Sequence, residues 1–293
     1  MGYTKPKETT RWHLENAALP NHAESYTVVS HGEVINNTYK LLEDNGFMVS
    51  RELYRASKNC NVAQGVYHIY PVNTTDIEIE QERELGMMFA WTNSYDKSKS
   101  FACAVGAYVD VCSNGMISGD MMNFKRKHRW SASRDIYIQM MDQIKSANKY
   151  YKRLIQDKNF LKTVSLSMTE CSELLGRLYV EEEILDSHQL TRVKKEMVKP
   201  TYNYSASTDT AWAFYNHVTH ALKNEHPRQW IRTQQNFHDF ITVELKGSPA
   251  SKIMFEKPKE YEDLGDTSQI IVDENSDMII EVDEQQLQMD LDV

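Results

Sequence analysis

Apolar and polar positions alternate with period two through the middle of the first half of the chain. Met88, Phe89 and Trp91 fall in a run over residues 87–92, and Phe101, Cys103 and Val105 share one face of a longer run over 100–111. Such alternation predicts half-buried β-strands. A polar loop, 93–99, separates them, and Ser113-Asn114-Gly115 follows the second. Asn-Gly supplies the positive φ angles of a two-residue hairpin, so the chain is expected to reverse there. Residues 47–57 and 62–72 read as two more strands about a turn at 58–61, with Pro71 ending the second or placing it at an edge.

Elsewhere the period changes to three-and-four. Ser30 with Glu33 forms a capping box that opens a helix carrying Val34, Ile35, Tyr39, Leu41 and Leu42, and Asn45-Gly46 stops it. Ser131 or Ser133 opens a long helix through Ile136, Met140, Ile144, Ala147, Tyr151, Leu154 and Ile155. Ser167 and Glu170 form a second capping box, Asp186-Ser187 starts a basic helix that Pro200 ends, and a polar linker over 201–208 precedes helices from Asp209 and after Pro227. The acidic stretch 74–84 reads as a solvated loop, its alternating Glu78, Glu80, Glu82 and Glu84 as a solvated face. Residues 1–25 read as a polar arm anchored by Trp12, His13, Leu14 and Leu19. The fold class expected is α+β, a mostly antiparallel sheet in the N-terminal half covered by helices of the C-terminal half.

Charge divides the chain more sharply than its net −9 suggests. Of 42 acidic and 33 basic residues, 13 acidic and two basic lie beyond residue 255, so the body keeps 29 and 31 and is near neutral. A 26–255 domain is therefore expected, followed by an acidic tail, 256–293, too poor in apolar residues to offset the entropy of ordering and so disordered. No apolar stretch reaches 18 residues and the start carries no secretion-signal pattern, which predicts a cytoplasmic protein that does not enter a membrane. The four cysteines lack C-x-x-C spacing and are expected to be reduced core thiols.

Searches for chemistry return little. Phosphate-cradling glycine motifs, H-E-x-x-H, G-x-S-x-G and kinase signatures are absent, so no cofactor is implied. His217 and His220 could face one metal from a helix, but nothing completes a ligand set, and core or solvent-facing histidines explain them better. Cys112 beside Asn114 and His128 allows a thiol nucleophile, against the plainer reading of a small buried cysteine. Cations interleave with aromatics twice: Lys125, Arg126, Lys127, His128, Arg129 and Trp130, then Lys145, Lys149, Tyr150, Lys152 and Arg153. Lysine and arginine neutralise phosphates and rings accept unstacked bases, though basic helix faces are more often simply solvated.

Asn93-Ser94-Tyr95-Asp96-Lys97-Ser98, then Gly106, then Val111 to Met116, then Arg126-Lys127-His128, closely resemble the domain-of-unknown-function family numbered 932, which is found largely in phages, plasmids and other mobile elements. Tyr26 to His31, Ala211-Trp212 and Tyr215-Asn216 extend the resemblance over roughly residues 24–245. It implies a mobile-element origin and a shared polar cluster of Asn93, Ser94, Asp96, Cys112, Asn114, Arg126 and His128, without an assigned reaction. The terminal Asp290, Leu291, Asp292 and Val293 are similar in style to the acidic tips of single-stranded-DNA-binding proteins, which dock partners and compete with DNA.

Together these features predict a single-stranded nucleic-acid-binding protein of a phage or mobile element, acting in DNA replication or recombination in the bacterial host cytoplasm. Single-stranded DNA is the partner expected, with replication or recombination proteins recruited by the tail; homo-oligomerisation is left open. Two alternatives stand beside it: a counter-defence protein that sequesters a host protein or nucleotide signal, and an enzyme using Cys112 and His128.

Overall fold

The computed structural model describes residues 7–20, 28–95, 100–111, 114–117, 132–204 and 207–246. The N-terminal arm supplies β1 (Lys7–Thr9) and α1 (Arg11–Glu15). Leu14 is its buried anchor, whereas Trp12, expected to share that role, is 70% exposed. Helix α2 (His31–Asp44) begins where Ser30 Oγ accepts from the Glu33 N–H at 3.0 Å, and it ends ahead of Gly46, whose φ of 77° suits a residue without Cβ. Strands β2 (Phe47–Ala56) and β3 (Val62–Pro71) follow as expected, and then α3 (Ile77–Gln81), β4 (Leu85–Ser94), β5 (Ala102–Val109) and β6 (Asn114–Ile117). The six strands form one antiparallel sheet whose spatial order is the chain order.

The second half is helical: α4 (Ala132–Lys145), α5 (Ala147–Thr163), α6 (Met168–Val180), α7 (Ser187–Val198), α8 (Ala211–Leu222) and α9 (Pro227–Lys246). The fold is thus α+β in the arrangement expected, the expected capping box at Ser167 is present, and Asp186 forms a further one with Gln189. No helix among the described residues is long and apolar enough to cross a membrane.

Four local expectations are corrected. The single long helix is two, α4 and α5, parted at Ser146 (φ −91°, ψ 5°). Asn114 and Gly115 pair with Val109 and Tyr108 inside β6, so they are strand residues and not the turn. Glycine is demanded at 115 by packing, since a Cβ there would lie 2.8 Å from Cζ2 of Trp230. The sheet is not half-buried at its centre: β4 is enclosed on both faces, by Phe89 and Trp91 in the main core and by Met88 and Ala90 beneath Trp230 and Ile231 of α9.

The fourth correction concerns the acidic stretch 74–84, which is no solvated loop. Asp76 caps α3, and Glu82 and Glu84 dock on α5. Lys158 Nζ lies 2.8 Å from Glu82 and 3.0 Å from Glu84, and Lys162 reaches Glu84 at 2.6 Å. The Lys158 and Glu82 side chains are only 6% and 4% exposed. A second buried network ties α5, α8 and α9: Asp157 meets His238 Nε2 at 3.1 Å and Lys246 Nζ at 2.6 Å, while His238 Nδ1 meets the Tyr215 hydroxyl. Burial opposes ionisation of Asp157, but His238 and Lys246 outweigh it and hold the carboxyl at about 2.

Candidate functional site

Helix α9 covers only part of the sheet face opposite the main core. Its start is fixed by the Thr92 hydroxyl, which donates to the Pro227 carbonyl at 3.0 Å, and small residues beneath it let the helix sit close. Beside it, β2 and β3 floor a cavity of about 330 Å³, with Trp230, Lys223 and Asn224 as one wall. Leu53, Val66 and Met88 supply the apolar part of the lining, and Glu8, Arg51, Tyr54, Arg55, Gln64, His68 and Tyr108 the polar part.

Arg51 reaches this face through a backbone irregularity. The register of β2 against β3 passes from Val49↔Ile69 to Arg51↔His68, so Ser50 is an extra residue and the side-chain alternation changes phase there. Without the bulge, Arg51 would follow Val49 onto the core face. Arg51 makes no ion pair among the described residues. His68 opposite it stacks on Tyr108 with centroids 3.7 Å apart and planes 14° apart. Burial, followed by the charge of Arg51, pushes the imidazole down to about 4, so His68 is neutral near pH 7.

Arg55 staples the sheet to the turn between α8 and α9. Its Nη1 donates to the Lys223 carbonyl at 2.7 Å, its Nε donates to Gln64 Oε1 at 2.9 Å, and its guanidinium lies 5.7 Å from the Trp230 ring centroid. Gln64 is fully buried, and its Nε2 has no hydrogen-bond partner among the described residues. Chemically, the face combines two guanidinium groups, a backed aromatic ring and the Glu8 carboxylate around an opening of nucleotide size. It suits a planar, acceptor-bearing, anionic ligand.

The residues singled out in the sequence are placed elsewhere. Lys125, Arg126, Lys127, His128, Arg129 and Trp130 lie outside the described residues, as do Asp96, Cys112, the tail and its end at Asp290, Leu291, Asp292 and Val293. Lys145 ends α4, and Lys149, Tyr150, Lys152 and Arg153 lie on α5. Lys145, Lys149 and Arg153 are exposed, whereas Tyr150 is half-buried against the core. Lys152 is paired with Asp76 at 3.0 Å and Glu78 at 3.7 Å, and the bond to Asp76 raises its pKa.

The described members of the expected polar cluster do not meet. Asn114 pairs with Val109, which faces Leu85 at the start of β4, whereas Asn93 lies eight residues along that strand, about 26 Å away at 3.3 Å per residue. Each works locally. Asn93 Nδ2 donates to the Val29 carbonyl and to His31 Nδ1, and its Oδ1 accepts from the Ser94 N–H. His31 Nε2 therefore donates to the Cys60 carbonyl, and burial pushes that imidazole down to about 4. Asn114 Nδ2 donates to the Asn216 carbonyl, joining β6 to α8. His217 is buried and His220 lies 3.6 Å from Glu196, but no group of three ligand-type side chains arises among the described residues.

Arg51, Arg55, Gln64, His68 and Tyr108 were not singled out from sequence. The available signal was the polar alternation Gln64, His68 on β3 against Arg51, Arg55 on β2, in strands otherwise rich in apolar residues. The family described as "Domain of unknown function (DUF932)" matches residues 18–242. No curated protein and no solved structure matches the chain.

Proposed function

The chain belongs to that family of domains of unknown function, and on this premise we propose that it is a single-stranded nucleic-acid-binding protein of a phage or mobile element, acting in DNA replication or recombination. The observation that carries the reading is the open sheet face, where Arg51, Arg55 and Tyr108 line one cavity of nucleotide size. Arg51 receives a phosphate. Tyr108, backed by His68, receives an unstacked base, a contact worth about 1–3 kcal/mol. In this reading Lys125, Arg126, Lys127, His128, Arg129 and Trp130 add cations that neutralise phosphates and a ring for stacking. The acidic tail serves autoinhibition in this reading, and its terminal Asp290, Leu291, Asp292 and Val293 recruit replication or recombination proteins.

A cavity of this size also favours a second reading, capture of a free nucleotide signal in counter-defence. Fluorescence anisotropy of a labelled single strand and its duplex separates the two, using the full chain and a chain ending at residue 255, at low and moderate salt. Salt-sensitive binding of the single strand, tighter in the shortened chain, supports the strand-binding reading. No strand binding by either form at low salt sinks it, and a free nucleotide that binds under those conditions takes its place.

A further inference from the structure

We infer that the open sheet face holds two successive nucleotides of a strand, with Tyr70 as a second stacking ring beside Tyr108 and Arg51 taking the phosphate that joins them. The inference rests on the strand-binding reading and names the shortest stretch of strand that fills the site. Its starting point is a pair of apolar side chains left at the surface on β2 and β3. Tyr70 is 44% and Met48 49% exposed, and the Tyr70 hydroxyl donates to Met48 Sδ at 3.5 Å. Scattered single apolar residues are ordinary on a protein surface, but these two touch each other at the edge of a cavity.

The register of the sheet sets where the pair lies. Tyr70 is opposite Met48, and His68, two residues earlier on β3, is opposite Arg51. Residues two apart on a strand share a face, so Tyr70 stands on the face of His68, about 7 Å further along. Ile69 pairs with Met87, so the next step of that register sets Tyr70 opposite Gly86, and Gly86 is opposite Tyr108. Met48, Tyr70, Gly86 and Tyr108 thus form one row across four strands. A Cβ at Gly86 would lie 2.1 Å from Cζ of Tyr108, so the ring fills the space that a side chain would take. Nothing from β4 stands between the two tyrosines.

Arg51 adjoins both positions. It lies opposite His68, which carries the Tyr108 stack, and next to Met48 on the same face, because Ser50 is the extra residue between them. Asp110, two residues beyond Tyr108 on β5, brings its negative charge to bear on both Tyr108 and His68. Phosphates are therefore drawn towards β2 and repelled from β5. A strand with one base on Tyr108 and the next on Tyr70 brings the linking phosphate to Arg51. A lone nucleotide would use Tyr108 and Arg51 and leave Tyr70 idle. Rings for bases beside a cation for the backbone are the parts from which single-strand sites are built.

The test measures binding of labelled oligothymidylate, and of an abasic deoxyribose-phosphate strand of equal length and charge, to the full chain. The natural protein is compared with Tyr70→Leu, which keeps apolar bulk against Met48 without a ring, and with Tyr70→Phe, which keeps the ring without the hydroxyl. Tyr70→Leu is expected to weaken oligothymidylate about tenfold, the size of one base–ring stack, and the abasic strand less than twofold. Tyr70→Phe is expected to stay within twofold of the natural protein on both. A loss below twofold for oligothymidylate in Tyr70→Leu, or equal losses on the two strands, overturns the inference and leaves strand binding standing. Failure of the natural protein to bind either strand overturns both.

Discussion

Two sets of cations sit on different sides of this molecule, and their surroundings are opposite. On α5, Lys152, Lys158 and Lys162 each meet a carboxylate from the segment that precedes β4. On the open sheet face, Arg55 is held by the side-chain oxygen of Gln64 and by main-chain carbonyls, and Arg51 makes no ion pair among the described residues. A lysine answered by a buried glutamate fastens a segment to a helix. An arginine without an ion pair among the described residues, as Arg51 is, keeps its charge for a ligand. A basic run thus marks where charge is placed, and only the three-dimensional partners decide whether it is available.

The largest effect should come from breaking the α5 side. Glu82→Ala leaves Lys158 buried beside a single half-exposed carboxylate, Glu84, and is expected to cost about 3–5 kcal/mol in urea unfolding, because the charge that remains is nearly without solvent. Replacing the pair together, Glu82→Leu with Lys158→Met, should recover most of that loss. A cost below about 1 kcal/mol for the single change would mean that the acidic segment does not clamp α5 and behaves as an ordinary surface pair.

Affinity for a strand should show the reverse pattern at intermediate size. Arg51→Ala is expected to weaken single-strand binding about tenfold, equivalent to one charge-assisted contact, while leaving the melting temperature unchanged. Lys149→Ala, on the exposed part of α5, is expected to change binding less than about twofold. Equal losses in the two variants would place the strand along α5, and a larger loss at Lys149 would return the site to where the sequence first suggested it.

Much of the fold was legible because local signals and tertiary structure agree. Ser30, Ser167 and Asp186 cap the helices that their spacing predicts, and β2 and β3 fall within a residue of the period-two runs. The misreadings arose where distant residues decided the outcome. Asn114-Gly115 has the composition of a turn, but its glycine answers to Trp230, more than a hundred residues away. The glutamates of 78–84 alternate as a solvated face would, and nothing nearby announces Lys158 as their partner. Arg51 was hidden for a different reason: a bulge at Ser50 shifts the phase, so alternation counted forward from Val49 assigns it to the core face and only alternation with Arg55 assigns it correctly. The Asn93 and Asn114 motifs were recognisable, whereas their 26 Å separation follows from register alone.

The smallest effect, and the one that separates the two sides most cleanly, is the response to pH between 7 and 5. On the α5 side, Lys162 and Lys158 overcome the cost of burial and hold Glu84 below the usual carboxylate range, so its charge does not change in this interval. On the sheet face, His68 is depressed to about 4 by burial and by Arg51, against the weaker pull of Asp110. In the free protein its folded value lies below the unfolded 6.5, so the stability it contributes is present above pH 6.5 and is lost as pH falls towards 4. A phosphate held by Arg51 reverses the local sign, raising the His68 pKa and linking binding to proton uptake. Affinity for a single strand is therefore expected to rise about two- to threefold from pH 7 to pH 5.5, and His68→Gln to flatten that profile while keeping a ring-sized polar group on Tyr108. A natural protein with no pH dependence, or a His68→Gln variant with the same slope, would mean that the phosphates do not approach β3, and the comparison between the two sets of cations would then rest on Arg51 alone.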